Sequence, residues 1–99
     1  MIIMWVRITY GKIQPDKMDE FRKIYNEKII PVVKKQKGNI DVYWMESTEE
    51  EGEGLSLTSW DNKENGETYE SSGTYQEMVD KVKHTFAAPP TMKSYEVKK

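Results

Sequence analysis

Residues Ile2 to Tyr10 are apolar on both parities of a strand, and only Arg7 and Thr9 break the run. Met4, Val6, Ile8 and Tyr10 fall on one face, Ile3 and Trp5 on the other. Successive side chains of a strand point to opposite faces, so this segment has to be covered on both sides. Ile40 to Glu46 repeats the pattern, with Val42 and Trp44 opposed to Tyr43 and Met45. The chain has 99 residues and makes one domain, residues 1–99. A domain of this size buries only about two-thirds of the surface its unfolded form exposes.

Between these strands, Pro15 and Asp16 open a long helix. Met18, Phe21, Ile24, Tyr25, Ile29, Val32 and Val33 form its apolar stripe, and Asp19, Glu20, Lys23 and Lys34 its wet side. Pro31 removes a backbone donor inside the helix and should bend or loosen the last turns. Gly38 is placed to end it as a left-handed cap. Ser47 to Gly54, with four glutamates and two glycines, reads as a solvated hairpin connection, and Leu55 to Trp60 as the third strand.

Asp61 then caps a helix with Glu64 at its third residue, Gly73 interrupts it, and Thr74 with Glu77 forms a second capping box. Tyr75, Met78, Val79 and Val82 recur at helical spacing on one face. Trp60, Tyr69 and Tyr75 should therefore line one seam between the sheet and its helices. His84 to Pro90 is expected as a loop, since paired prolines exclude helix. Thr91 to Val97 is the fourth strand.

The order β-α-β-β-α-β predicts an α+β, ferredoxin-like domain with a four-stranded antiparallel sheet. Right-handed crossovers put both helical layers on one sheet face. The other face has no cover within the chain, although Ile3, Trp5 and one parity of the second strand are expected to point there. An apolar patch of that kind predicts a homodimer with two sheets stacked face to face.

Composition narrows the function classes. Fifteen Lys and Arg against 17 Asp and Glu leave a formal net charge of −2, with no basic excess for nucleic acid or an acidic membrane. No stretch reaches the roughly 20 apolar residues that span a bilayer. Met1 to Val6 is too short an apolar run for a targeting segment and reads as a strand. Without cysteine there is neither a disulfide framework nor thiol chemistry, which suits a cytoplasmic location. A single histidine with no clustered partner makes no metal site. Glu49, Glu50, Glu51 and Glu53 lack the spaced oxygen ligands of a calcium loop.

The residues Gly11, Pro15-Asp16-Lys17, Glu20-Phe21, Tyr25, Pro31 and Gly38, followed by Leu57-Thr58-Ser59-Trp60, Tyr69 and Pro89-Pro90, form a pattern that resembles the antibiotic biosynthesis monooxygenase family. The resemblance covers nearly the whole chain. It implies a dimeric α+β barrel with a ligand cavity between sheet and helices in each subunit. The family includes cofactor-independent oxygenases of hydroquinone-like substrates, haem-degrading enzymes and small-molecule isomerases. Cofactor-free members carry an Asn four residues before the strand-ending Trp, where this chain has Ser56. Alignment with haem-degrading members puts Val79 at their haem-ligating His, Tyr69 at their second Trp, and Val6 or Arg7 at their first-strand Asn. These departures speak against haem degradation.

What the resemblance implies is a cofactor-independent, monooxygenase-like enzyme for a small electron-rich aromatic or enol. Trp60, Tyr69, Tyr75, Tyr25 and Val79 would hold the ligand, and Ser56 and His84 would handle protons. Two other readings stay open: a haem-binding or haem-degrading protein, and a non-catalytic small-molecule-binding or stress-response module. Each residue also has a plain structural role. His84 sits at a helix end, where an imidazolium complements the dipole. Trp60 can be core packing, and Trp5 packing in a dimer interface. Arg7 in an apolar strand needs a carboxylate partner, and a salt bridge between subunits is preferred to ligand binding.

Overall fold

The computed structural model describes residues 1–99. Its elements are β1 (Ile2–Ile13), α1 (Met18–Ile24), α2 (Ile30–Lys34), β2 (Asn39–Glu46), β3 (Glu53–Trp60), α3 (Lys63–Glu70), α4 (Gly73–Val82) and β4 (Phe86–Lys98). The four strands form one antiparallel sheet in the order β2-β3-β1-β4. This is the expected ferredoxin-like α+β architecture.

β1 runs three residues further than the apolar pattern suggested. Gly11 and Lys12 pair with Gly54 and Glu53, and Ile13 is buried and bonded through its N–H to the Gly52 carbonyl at 2.7 Å. β4 likewise begins at Phe86, so Pro89 and Pro90 lie inside a strand and not in a loop. They fall at a break in the β1–β4 register between Tyr10↔Thr91 and Lys12↔Ala88. Edge strands and bulges are where a sheet tolerates proline, because no ladder donor is needed there.

The long helix is continuous but not uniform. A π turn, Tyr25–Ile29, separates α1 from α2, and Ile30 N–H bonds back to the Tyr25 carbonyl. Pro31 explains it: the ring crowds the carbonyl four residues back and supplies no donor, so the helix widens just before it. Pro31 was expected to loosen the last turns, and the distortion instead falls one turn upstream, where Tyr25 and Ile29 are buried. The helix ends at Lys34, and Gly38 occupies the turn that follows with φ +82°. A Cβ there would also stand 2.5 Å from Asn65 Nδ2, so only glycine fits on both counts.

The caps shift by one or two residues. Asn62, not Asp61, caps α3 by accepting from Asn65 N–H at 2.9 Å, and Asp61 accepts from the Asn65 side chain. Ser72, not Thr74, caps α4, leaving Gly73 as its first residue.

The helices cover the face of β1 that carries Trp5, Arg7, Thr9, Gly11 and Ile13. Trp5 is therefore core and not open-face packing: it is buried beneath α3 with its ring against Gly66. Gly66 is glycine for that reason, since a Cβ there would lie 2.5 Å from Trp5 Cε3. On β2 the covered residues are Val42 and Trp44, and the Trp44 ring stands 4.5 Å from that of Phe21. The opposite face carries Tyr10, Tyr43, Met45 and Tyr95, all exposed. No helix is long and apolar enough to cross a membrane.

Candidate functional site

A cavity of about 230 Å³ lies between the covered sheet face and the helices. Its size follows from residues that leave space as much as from those that fill it. Gly11 lies on its floor, and a Cβ built there would meet nothing within 4 Å. An apolar cavity of roughly 150 Å³ already holds benzene, so this one admits a substituted ring or a pair of fused rings.

The floor is built by register. Arg7 pairs with Thr58 and Thr9 with Ser56 across β1 and β3, and all four line the cavity. The helical layer contributes Phe21, Tyr25 and Ile29 from one side, and Tyr69, Tyr75 and Val79 from the other. The polar groups form two clusters. In the first, Tyr25 Oη and Ser56 Oγ share a hydrogen bond of 2.6 Å, and Tyr25 Oη also reaches the Tyr43 carbonyl at 3.2 Å. The π turn carries Tyr25, so the distortion caused by Pro31 is adjacent to this contact. Burial raises the Tyr25 phenol above the ordinary tyrosine value, with the Ser56 hydrogen bond opposing it. Tyr25 thus stays neutral at physiological pH, its one proton shared between the Tyr43 carbonyl and Ser56.

The second cluster is an ion pair set in the cavity wall. Arg7 Nε and Nη2 donate to the two Glu70 oxygens at 2.6 and 2.7 Å. The guanidinium also stands over Trp5, 5.0 Å from the ring centroid. Tyr69 and Tyr75 flank the pair, their rings 5.6 Å apart and nearly perpendicular. Burial first, then neighbouring tyrosines and Glu70, push the Tyr69 phenol far up, and burial and Glu70 raise Tyr75. Tyr75 Oη donates to Met92 Sδ at 3.4 Å. The Tyr69 hydroxyl makes no hydrogen bond within the chain, and Tyr69 lines the cavity.

Of the residues singled out from sequence, Tyr25, Ser56, Tyr69, Tyr75 and Val79 meet at this cavity. Trp60 does not line it. Its ring is fully buried behind Tyr69, with centroids 5.4 Å apart, and its indole N–H donates to Thr58 Oγ1 at 3.0 Å. Trp60 positions Tyr69 and Thr58 and offers no hydrogen bond to a ligand. His84 is also outside: it lies on a short turn after α4, half exposed, paired with Glu20. The pairing holds the Glu20 carboxyl below its ordinary value. Arg7 is bonded to a carboxylate of its own chain, in place of the intersubunit bridge that the sequence favoured. No group of three or more His, Asp or Glu side chains converges to hold a metal ion.

Sequence reasoning missed Glu70, Gln76, Thr9 and Thr58. The signal for Glu70 was Arg7, a charge in an apolar strand that needs a carboxylate. With 17 acidic residues available, the sequence could not say which one.

The model of one protein family, described as antibiotic biosynthesis monooxygenase, matches residues 4–81. No curated protein matches the chain in sequence. Among solved structures, one from Nitrosomonas europaea bearing the same family designation is similar with a TM-score of 0.85 at 16% identity, covering 98% of this chain and 92% of its own. Another so designated, from Bordetella bronchiseptica, gives 0.85 at 21% identity, over 96% of this chain and 97% of its own. A conserved protein of Methanosarcina mazei Go1 gives 0.85 at 16% identity, over 98% and 95%. At these identities the likeness is one of fold.

Proposed function

The chain belongs to the antibiotic biosynthesis monooxygenase family, and on that premise we propose that it is a cytoplasmic, cofactor-independent monooxygenase of a small electron-rich aromatic or enol. The observation that carries the reading is the cavity: about 230 Å³, walled by aromatic and aliphatic side chains, with hydroxyl donors and no cation other than Arg7 among its lining residues.

The chemistry would run through the ionised substrate. A phenol or enol loses a proton, and the resulting anion gives one electron to dioxygen. The substrate radical and superoxide combine to a C–O–O bond, the peroxide anion takes back a proton, and the hydroperoxide loses water. A CH₂ carbon thereby becomes C=O, one oxygen atom enters the product, and the other leaves as water. The protein has to hold the ligand flat, stabilise the anion and exclude water. Tyr69 suits the second task, because a phenol kept neutral by burial and making no hydrogen bond within the chain can donate one to a developing anion without competing for its charge. Ser56, bonded to Tyr25, is the adjoining relay.

The cavity also bears on the two other readings. Val79 lines it where a haem ligand would be needed, and Val6 belongs to the parity of β1 opposite the cavity face. A packed, non-catalytic seam would leave no such volume. The exposed Tyr10, Tyr43, Met45 and Tyr95 on the uncovered face support a homodimer through that face. Sedimentation at a dimer mass is expected, and a stable monomer at micromolar concentration would exclude it.

The test is oxygen uptake by the purified protein with one-, two- and three-ring phenols whose keto tautomers carry the reacting CH₂, anthrone being the three-ring member, without added metal or flavin. Uptake above the spontaneous rate is expected, strongest for the one- and two-ring compounds. Losing one oxyanion donor costs on the order of 100-fold in comparable sites, so Tyr69→Phe should lower the rate by at least ~10-fold. No uptake from a folded protein would reject the proposal.

A further inference from the structure

Arg7 is bound to Glu70 through Nε and Nη2 alone. A guanidinium carries five N–H donors in a rigid plane. Two are used, so both N–H groups of Nη1 and the second of Nη2 have no acceptor in the chain. One donor from each of these nitrogens forms a second fork, of the geometry that matches a carboxylate or a pair of anionic oxygens. The guanidinium is fixed twice over, by the bidentate Glu70 contact along one edge and by Trp5 at 5.0 Å from its centre. Its side chain is 21% exposed, and it lies in the wall of a cavity otherwise dominated by hydrocarbon and aromatic rings.

An ion pair in such a wall is weak as a stabilising device, since desolvation of both charges offsets most of their attraction. It serves better as a recognition device, because a pre-oriented cation loses little freedom on binding. We propose that Arg7 is the anion-recognising group of this cavity, that Glu70 positions it, and that the ligand is a flat aromatic carrying an anionic oxygen pair. The class rests on the cavity reading above and narrows it: the apolar walls take the ring and the free fork of Arg7 takes the charge. Glu70 also tempers the site. Its carboxylate neutralises Arg7 when the cavity is empty and competes with the ligand for the same cation.

Two isosteric probes separate charge from shape. Naphthoate and naphthamide differ only in carboxylate against carboxamide, and neither is readily oxidised, so their binding is independent of any oxygenase activity. Titration calorimetry is expected to show naphthoate binding on the order of tenfold more tightly, the scale of a charged hydrogen bond. Arg7→Gln should remove that preference, while Arg7→Lys keeps part of it. Glu70→Gln should widen the preference for naphthoate over naphthamide several-fold. That second variant keeps the test intact if Arg7→Gln destabilises the fold. Equal affinity for the two probes, binding of neither, or a preference that persists in Arg7→Gln would overturn the assignment. Oxygen uptake that fails while the naphthoate preference holds would reject the monooxygenase and leave the anion site standing.

Discussion

Trp60 has no exposed surface and gives its indole N–H to Thr58, so shortening it acts first on stability. Trp60→Phe is expected to lower the unfolding free energy by about 1–3 kcal/mol through lost packing and an orphaned hydroxyl partner. Denaturant titration reads this directly, and an unchanged midpoint would refute the core assignment. The same residue shows what sequence leaves open. A tryptophan ending a strand next to a helical aromatic face fits a pocket wall or a core equally well. The answer depends on Tyr69, whose ring stands between Trp60 and the cavity, and on Thr58, which uses up the only indole donor. His84 was ambiguous for a different reason: its partner Glu20 lies 64 residues away in the chain, a pairing that only the fold creates.

At the scale of elements, periodicity was informative where one side of a segment is wet. The stripe on α1 and α2 and the face of α4 follow directly from spacing, and Met18, Phe21, Tyr25, Ile29, Val33, Met78 and Val82 are buried as that spacing requires. β1 was unreadable in the same terms because both parities are apolar, and alternation names two faces without saying which one meets the helices. Gly66 is what settles it, since its missing side chain makes room for the Trp5 ring under α3. Gly66→Ala sets two effects against each other. Alanine gains up to about 1 kcal/mol of helix propensity. Overpacking a buried ring costs about 1–3 kcal/mol, and a Cβ 2.5 Å from Trp5 Cε3 has nowhere to go. A net fall in the thermal midpoint is expected. A rise would mean that α3 and β1 are further apart than described. The capping residues missed by one or two positions for a simple reason: Asp61 and Asn62, or Ser72 and Thr74, carry equally suitable oxygens, and backbone direction chooses between them.

For the whole molecule, the order of elements was legible because the acidic hairpin, Gly38 and the cap residues punctuate it. The cavity was not, since a volume is a difference between distant surfaces. Its three phenols nevertheless give the molecule a collective pH response. Tyr25, Tyr69 and Tyr75 are all raised, each chiefly by burial. The unfolded chain ionises these groups near the ordinary value of about 10, while the folded chain resists. Their contribution is therefore fully present below about pH 10 and is lost as pH rises through the folded values. Denaturant midpoints should fall above that pH, and the fall should be shallower in Tyr69→Phe. A stability that stays flat to higher pH would contradict the burial of these rings.

The central claim is that the space above Gly11 is where the reaction occurs, and filling it is the most direct test. Gly11→Leu adds a side chain where a Cβ meets nothing within 4 Å, on a strand residue without positive φ, so the fold should stand. Oxygen uptake with a two-ring phenol whose para C–H is free, measured beside the thermal midpoint, separates the outcomes. Loss of uptake with the midpoint retained is the expected result; uptake at the parent rate in a folded Gly11→Leu protein would place the chemistry elsewhere.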